Sequence, residues 1–255
     1  MKWKKTRELL SLFFALSLIT ACSANGNNSN QGGSESNTTV TGNCANDYYP
    51  VIQGATWTYE STGGPAGKYE FTDTISAVRS DGFTLTSQFD TLTRTQEWGC
   101  QENGLTALQL GGLSAATLSS QDMDFTFEVK NVDGVTYPLA MNQGDEWRHD
   151  LEFEGKMDIA GSPATATGSS QTIFRVVGTE SINVPAGTFQ AVKVQTDLNI
   201  VFTIQVQGLA VPASFSGSYT YWYVKGVGWV KAEGQGNITG TEFTETIELQ
   251  KYNIP

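Results

Sequence analysis

The sequence predicts an all-β protein built on antiparallel sheet, and three observations carry that reading. The first is a long alternation. From Val192 the even positions are Val192, Val194, Thr196, Leu198, Ile200, Phe202, Ile204 and Val206, while the odd ones are polar apart from Val201. A period of two sends alternate side chains to opposite faces of a strand. The second is punctuation: from Ala45 onward, strand-forming runs recur between Gly, Pro, Asn and Asp, and no stretch holds a convincing helical period. The third is one-sidedness, apolar on one face and polar on the other, the pattern of antiparallel sheets with a wet face.

In chain order, Met1 to Ala21 carries Lys2, Lys4, Lys5 and Arg7 ahead of the apolar run Leu9 to Ile19. The run is short for a spanning helix and reads as a secretory signal over residues 1–21. It ends in Leu18-Ile-Thr-Ala-Cys22, which resembles the bacterial lipobox, so Cys22 is expected to be lipidated and to become the mature amino terminus. Acyl chains contribute about 0.8 kcal/mol per buried methylene, enough for two or three of them to hold a protein to a membrane. In lipoproteins of diderm bacteria, Ser23 after the cysteine resembles an outer-membrane sorting signal. The location expected is therefore the extracytoplasmic side of the cell membrane or outer membrane. Residues 22–44 form the lipidated cysteine and a tether of Asn, Gly, Ser, Thr and Gln, too polar to offset ordering entropy by burial.

Removal of Met1 to Ala21, with its four basic residues and Glu8, leaves 11 basic and 25 acidic residues, a net charge of −14. Such a surface is repelled by nucleic acid and by anionic headgroups. Solubility outside the cell explains the acidity, with Ca²⁺ binding as the sharper alternative. No Asp-x-Asp-x-Asp-Gly loop supports the ion, and Asp122-Met-Asp124 is the only fragment of one. Metal and cofactor are both expected to be absent. With Cys22 lipidated, Cys44 and Cys100 are left as an even pair in an oxidising compartment, and a disulfide is expected between them. On the chain-entropy account it stabilises by about 4 kcal/mol.

Residues 45–255 suffice for a single β-domain. Strands are predicted around Phe83, Leu85 and Phe89; around Met123, Phe125, Phe127 and Val129; around Leu151, Phe153, Met157 and Ile159; and around Phe243, Ile247 and Leu249. Asp81-Gly82 and Asp133-Gly134 supply reversals. Val184-Pro-Ala-Gly187 reads as the turn that launches the long strand, with Pro185 and Gly187 at the positions a type I turn favours. Gly161 to Ser170 and Gly208 to Ala213 read as long loops, and Gly111 to Ser120 as a loop or one short helix. A weak internal repeat pairs Gly54-Ala-Thr-Trp57 with Gly144-Asp-Glu-Trp147, giving halves 51–120 and 141–255, with Gly82 as the counterpart of the Val184–Gly187 turn.

The run Gly-x-x-Trp-x-Tyr from Gly54, then Val184-Pro-Ala-Gly-Thr-Phe-Gln-Ala-Val-Lys-Val194, then Tyr221-Trp-Tyr-Val-Lys-Gly-Val-Gly-Trp-Val-Lys231 is similar to secreted bacterial proteins of the TapB-like group, over roughly Val51 to Lys231. That group in turn resembles the LolA/LolB lipoprotein carriers. The resemblance implies a strongly curved antiparallel sheet, an incomplete barrel with an apolar concave face. The chain departs from those carriers in lacking clear helices to plug the barrel.

Catalytic constellations are sparse. His149 is the only histidine, and no Gly-x-Ser-x-Gly elbow accompanies it. Glu97 beside Trp98 and Glu60 beside Tyr59 are the carboxylate candidates for a glycosidase-like pair, which needs two carboxylates facing across a cleft. Tyr219, Tyr221 and Tyr223 share one face of a strand and Trp222 takes the other, as core packing or as a sugar- or lipid-lining surface. The leading reading is a non-enzymatic binding module whose apolar face, Val192, Val194, Leu198, Ile200, Phe202, Ile204 and Val206, accepts a ligand such as an acyl chain. A structural lipoprotein that docks an envelope protein and a carbohydrate-binding or carbohydrate-active protein are the alternatives. The oligomeric state is left open.

Overall fold

The structure, a computed structural model, describes residues 44–90, 92–109, 125–159 and 162–255. These residues form β1 (Thr56–Gly63), β2 (Tyr69–Val78), β3 (Gly82–Gln88), β4 (Thr93–Gln101), β5 (Gly104–Ala107), β6 (Phe125–Gly134), β7 (Tyr137–Pro138), β8 (Glu146–Ile159), β9 (Ser162–Val184), β10 (Gly187–Val206), β11 (Leu209–Val224), β12 (Gly228–Ile238) and β13 (Thr241–Asn253), with no helix among them. All pair antiparallel in one sheet of order β6-β8-β9-β10-β11-β12-β13-β1-β2-β3-β4-β5-β7, which is not closed into a barrel. The all-β, strongly curved fold expected from the sequence is the fold observed.

The curvature follows from connectivity. The two edge strands, β6 and β7, are consecutive pieces of one passage, separated by Val135 and Thr136. The Val135 amide donates to the Arg148 carbonyl of β8 at 3.1 Å, and the Thr136 amide to the Leu105 carbonyl of β5 at 2.8 Å. Adjacent amides of an extended chain point to opposite sides, so this passage joins both edges of the sheet along a seam. Thr106 Oγ1 donates to the Gly134 carbonyl, and the Ala107 amide donates to Thr136 Oγ1, both at 3.1 Å.

Behind the seam the concave face is filled by aromatic rings. Tyr49, from the segment before β1, lies 4.8 to 5.7 Å from the rings of Trp57, Phe83, Trp98 and Tyr137, which come from four strands. Tyr59 stacks flat on Trp229 at 3.9 Å and donates its hydroxyl to the Trp229 carbonyl. Trp57 Nε1 donates to the Val227 carbonyl at 2.6 Å. The Cys44–Cys100 disulfide ties the Tyr49 segment to β4.

The turn at Pro185-Ala186 is where the sequence puts it, with Val184 paired to Gly187. Two expected loops are instead strand. Ser162 begins β9, and Leu209 begins β11 directly after a Gln207-Gly208 turn. Their Gly, Pro and Ala residues are weak strand formers, but β10 between them supplies a ladder partner along its whole length. The Gly111 to Ser120 segment and Asp122-Met-Asp124 lie outside the described residues.

Gly54 and Gly144 open β1 and β8 with the same local structure. Gly54 and Gly144 have φ of 84° and 90°. Their amides donate to Ile75 and Val176, whose amides return to Ala55 and Asp145. A register shift follows on each partner strand, beyond Ile75 and beyond Val176. Matched on these shifts, Phe83-Thr84-Leu85 opposite Val78-Ala77-Ile75 is the counterpart of Val192-Lys193-Val194 opposite Thr179-Gly178-Val176, so Gly82 and Gly187 are not equivalent positions.

Gly134 holds the seam open to both edges. It has φ of 82°, and a Cβ there would lie 2.1 Å from the Arg148 carbonyl oxygen. Gly134→Ala is therefore expected to destabilise the fold by at least about 1 kcal/mol, read as a lower midpoint in urea unfolding.

Candidate functional site

Two regions of the concave face are unlike a plain core. One is a row of polar residues crossing the sheet; the other is the far end of β9, β10 and β11.

The polar row follows from register. Asp73 of β2 faces Ser87 of β3, Ser87 faces Arg94 of β4, and Gly63 of β1 faces Glu245 of β13. Ser87 Oγ donates to Asp73 Oδ1 at 2.6 Å. Arg94 Nη2 donates to Ser87 Oγ at 3.3 Å and to Gln96 Oε1 at 3.2 Å. Across the row, Glu245 Oε1 accepts from Ser61 Oγ at 2.7 Å and from the Tyr69 hydroxyl at 2.9 Å. Tyr219 lies over the neighbouring glycine of β12 and is buried.

Burial governs the electrostatics here. Desolvation pushes the Asp73 carboxyl above its ordinary range, opposed by the Ser87 hydrogen bond and the Arg94 charge. Desolvation likewise lowers the Arg94 guanidinium, opposed chiefly by Asp73. Burial, with Glu245 as the next cause, raises the phenols of Tyr69 and Tyr219. Three buried atoms of the row have no hydrogen-bond partner among the described residues: Arg94 Nε, Gln96 Nε2 and the Tyr219 hydroxyl.

The sequence missed this row, although its signal was present. Ser87 stands in phase with Phe83, Leu85 and Phe89, and Glu245 stands in phase with Phe243, Ile247 and Leu249. A polar residue on an otherwise apolar face is the informative exception.

The residues expected to form one apolar ligand face are divided by the structure. Val192 and Val194 belong to the main aromatic core and are not free to meet a ligand. Ile200 is buried with Leu151, Phe153 and Phe215, against which Leu198 and Phe202 pack half-buried. Phe202, Ile204 and Val206 stay half-buried around Ala164 and Ala166 of β9. Leu209 and Val211, paired with Val206 and Ile204, are 67% and 45% exposed. The reason is length: β9 and β10 run 23 and 20 residues against 7 for β3, so their ends pass beyond the short strands that cover the core. On the opposite face, around Val201, lies a shallow depression lined by hydroxyls including Thr167, Ser169, Thr203 and Ser214.

The catalytic candidates disperse. Glu97 pairs with Arg79 and accepts from Thr84 on the outer face, while its neighbour Trp98 is buried inward. Glu60 pairs with Lys68. Tyr219, Tyr221 and Tyr223 are buried in packing, not displayed. Trp222, on the other face, donates to Glu180 at 2.6 Å and has Lys193 and Lys231 over its ring, each 5.4 Å from the centroid. His149 sits in the seam, its Nε2 2.9 Å from the Ala107 carbonyl oxygen.

A family model described as DUF3108-like matches residues 90–241, more than half of the chain. No curated protein matches it. Among solved structures, similarity extends to an exported-protein candidate with YmcC-like fold from Bacteroides fragilis, at 15% identity and a TM-score of 0.47, covering 82% of this chain and 100% of that one. A lipoprotein candidate from Parabacteroides distasonis matches at 16% identity and 0.44, covering 82% and 99%. The hypothetical lipoprotein YmcC from Escherichia coli matches at 14% identity and 0.36, covering 79% and 85%.

Two pH dependences follow. Burial holds the His149 imidazole below its ordinary value of 6.5. The neutral form is the one the fold accommodates, so its contribution is complete above pH 6.5 and falls as pH drops below that value. Melting curves of the parent should show this acid-side loss, and His149→Gln should remove it. Asp73 has the opposite sign. Its carboxyl is raised from 3.8, so the stability it contributes when protonated is lost as pH rises through the folded value. Between pH 4 and 7, the stability difference between Asp73→Asn and the parent should therefore shift in favour of the variant.

Proposed function

The chain belongs to the DUF3108-like family, and we propose that it is an extracytoplasmic lipoprotein, anchored through Cys22, that acts as a non-enzymatic binding module for an acyl chain. The signal-like residues 1–21 and the lipobox-like Cys22 support the anchor. One observation carries the ligand class: the projecting end of β9–β11 is uncharged and incompletely covered. In a chain with 26 acidic and 15 basic residues, neither Ser162–Phe174 nor Leu198–Val224 holds a single charge. Its concave side presents Phe202, Ile204, Val206 and Val211 around Ala164 and Ala166.

Contiguous exposed apolar surface marks an interaction site. Uncharged, half-exposed apolar side chains packed over small buried alanines suit a flexible hydrocarbon better than a rigid sugar, which needs displayed aromatic rings and hydrogen-bonding groups. The likeness to half-barrel lipoprotein carriers agrees with this by analogy alone.

Native mass spectrometry of the protein purified from its own membrane is expected to show a non-covalent acyl lipid, and Ile204→Asp is expected to remove it. An empty parent protein that instead retains an envelope protein would overturn the reading in favour of a docking lipoprotein. In the same preparation, Cys22→Ala should move the protein from the membrane fraction to the soluble one.

A further inference from the structure

We propose that the projecting tip of β10 and β11 docks into the surface of a lipid bilayer, Leu209 foremost, so that the acyl-binding strip meets its ligand inside the membrane. The inference rests on the reading of the chain as an anchored acyl-binding lipoprotein and names the partner of that same end.

The strip is an open surface. Its inner end is stopped by the packed cluster of Leu151, Phe153, Ile200 and Phe215. Outward of that cluster Phe202, Ile204 and Val206 lie half-buried on Ala164 and Ala166, with Val211 and Leu209 beside them across the ladder. An acyl chain laid there is covered on one side only, and in water its other side stays wet.

Exposure on both faces of the hairpin selects lipid over a protein partner. Leu209, beside the Gln207-Gly208 turn, is the most exposed large hydrophobic residue among those described. Leu209 and Val211 share the concave side with Val206 and Ile204. Val201, as exposed as Val211, looks the other way, in the row of Thr203 and Gln205 with Pro212 and Ala210 opposite. A folded partner or a second copy covers one face of a sheet, whereas lipid surrounds a hairpin on both. Strand addition is the other route for a protein, because β12 joins β11 only at Phe215 and leaves the edge from Leu209 to Ala213 without a partner strand among the described residues. Pro212 stands in that stretch, and a proline on an edge disfavours further pairing.

Charge turns the same end toward a membrane. The net charge of −14 is repelled by anionic headgroups, yet Leu198–Val224 carries no charge at all. At the level of the tip, β8 adds one charge of each sign, Lys156 and Asp158, in register with Thr165 and Pro163. The tip therefore approaches a headgroup layer with the least repulsion. Insertion is shallow, roughly 5–10 Å into the headgroup and acyl boundary, since the unpaired backbone groups of the β11 edge still need water or headgroup oxygens.

Reach allows it. Cys44 shares the aromatic core with Val192, and Val206 lies 14 residues further along β10, about 46 Å. The 22 residues from Cys22 to Cys44 span about 75 Å when fully extended, so a chain anchored at Cys22 can bring the tip to the same bilayer.

The test places a nitrobenzoxadiazole label at Leu209→Cys, Ala210→Cys or Thr188→Cys in the full-length lipidated protein, reconstituted in phosphatidylcholine vesicles whose acyl chains carry nitroxide quenchers. Lipidation blocks Cys22 and the disulfide blocks Cys44 and Cys100, so each variant has one reactive thiol. All three positions are exposed, and unaltered melting temperatures certify the fold. Labels at positions 209 and 210, on opposite faces of the tip, are expected to be quenched at least about threefold more than the label at position 188, near the other end of β10. Quenching at position 209 alone means one-sided contact and overturns the docking while the acyl-binding reading stands. Equal quenching at all three positions, or at none, also overturns it. A protein that does not stay with the vesicles overturns the anchor and the docking together. Co-purification of an acyl lipid in native mass spectrometry tests the acyl-binding reading separately, so the two fail apart.

Discussion

The architecture depends on one constraint: the passage from Phe125 to Pro138 must satisfy both edges of the same sheet. Val135 and Thr136 donate in opposite directions, to β8 and to β5, and this fixes how far the sheet curls. Strand edges left bare invite pairing with other chains, and joining them through one passage removes that liability along the seam. Everything inside follows from the curl. Tyr49 can touch rings from four strands only because those strands wrap around it.

The concave face is layered by the pleat. Near Tyr49 it is aromatic and dry, with Trp57, Phe83, Trp98 and Tyr137 stacked or tilted against one another. Further along comes the row of Ser61, Asp73, Ser87, Arg94, Gln96 and Glu245, where charge is buried at a cost that the shifted ionisations of Asp73 and Arg94 record. Beyond it the long strands continue alone, apolar and uncharged.

Much of the framework was legible. The alternation from Val192 gave β10, the Pro185-Ala186 turn gave its start, and the even count of extracytoplasmic cysteines gave the Cys44–Cys100 bridge. The common opening at Gly54 and Gly144 was visible as Gly-x-x-Trp and is matched by hydrogen bonding. What misled was composition. Ser162 to Ser170 and Leu209 to Ala213 look like loops because of their Gly, Pro and Ala residues, yet each is held by β10. The polar row was passed over because Ser87 and Glu245 interrupt apolar alternations that a reader of periodicity skips across.

The sequence by itself determined the apolar phase of β10, the turn at Pro185-Ala186 and the cysteine pairing, because each depends on neighbours a few residues apart or on parity in a small set; Asp133-Gly134, read as a reversal, instead ends β6 and runs on through Val135 and Thr136 into β7. Only the tertiary structure decided which half of the Val192 to Val206 face is packed and which is open. It alone brought Asp73, Ser87, Arg94 and Gln96 into one hydrogen-bonded row and set Ser61 and Tyr69 against Glu245. Both depend on which strands run past which, and that is set by register and by the seam between edges distant in sequence, which local alternation does not encode.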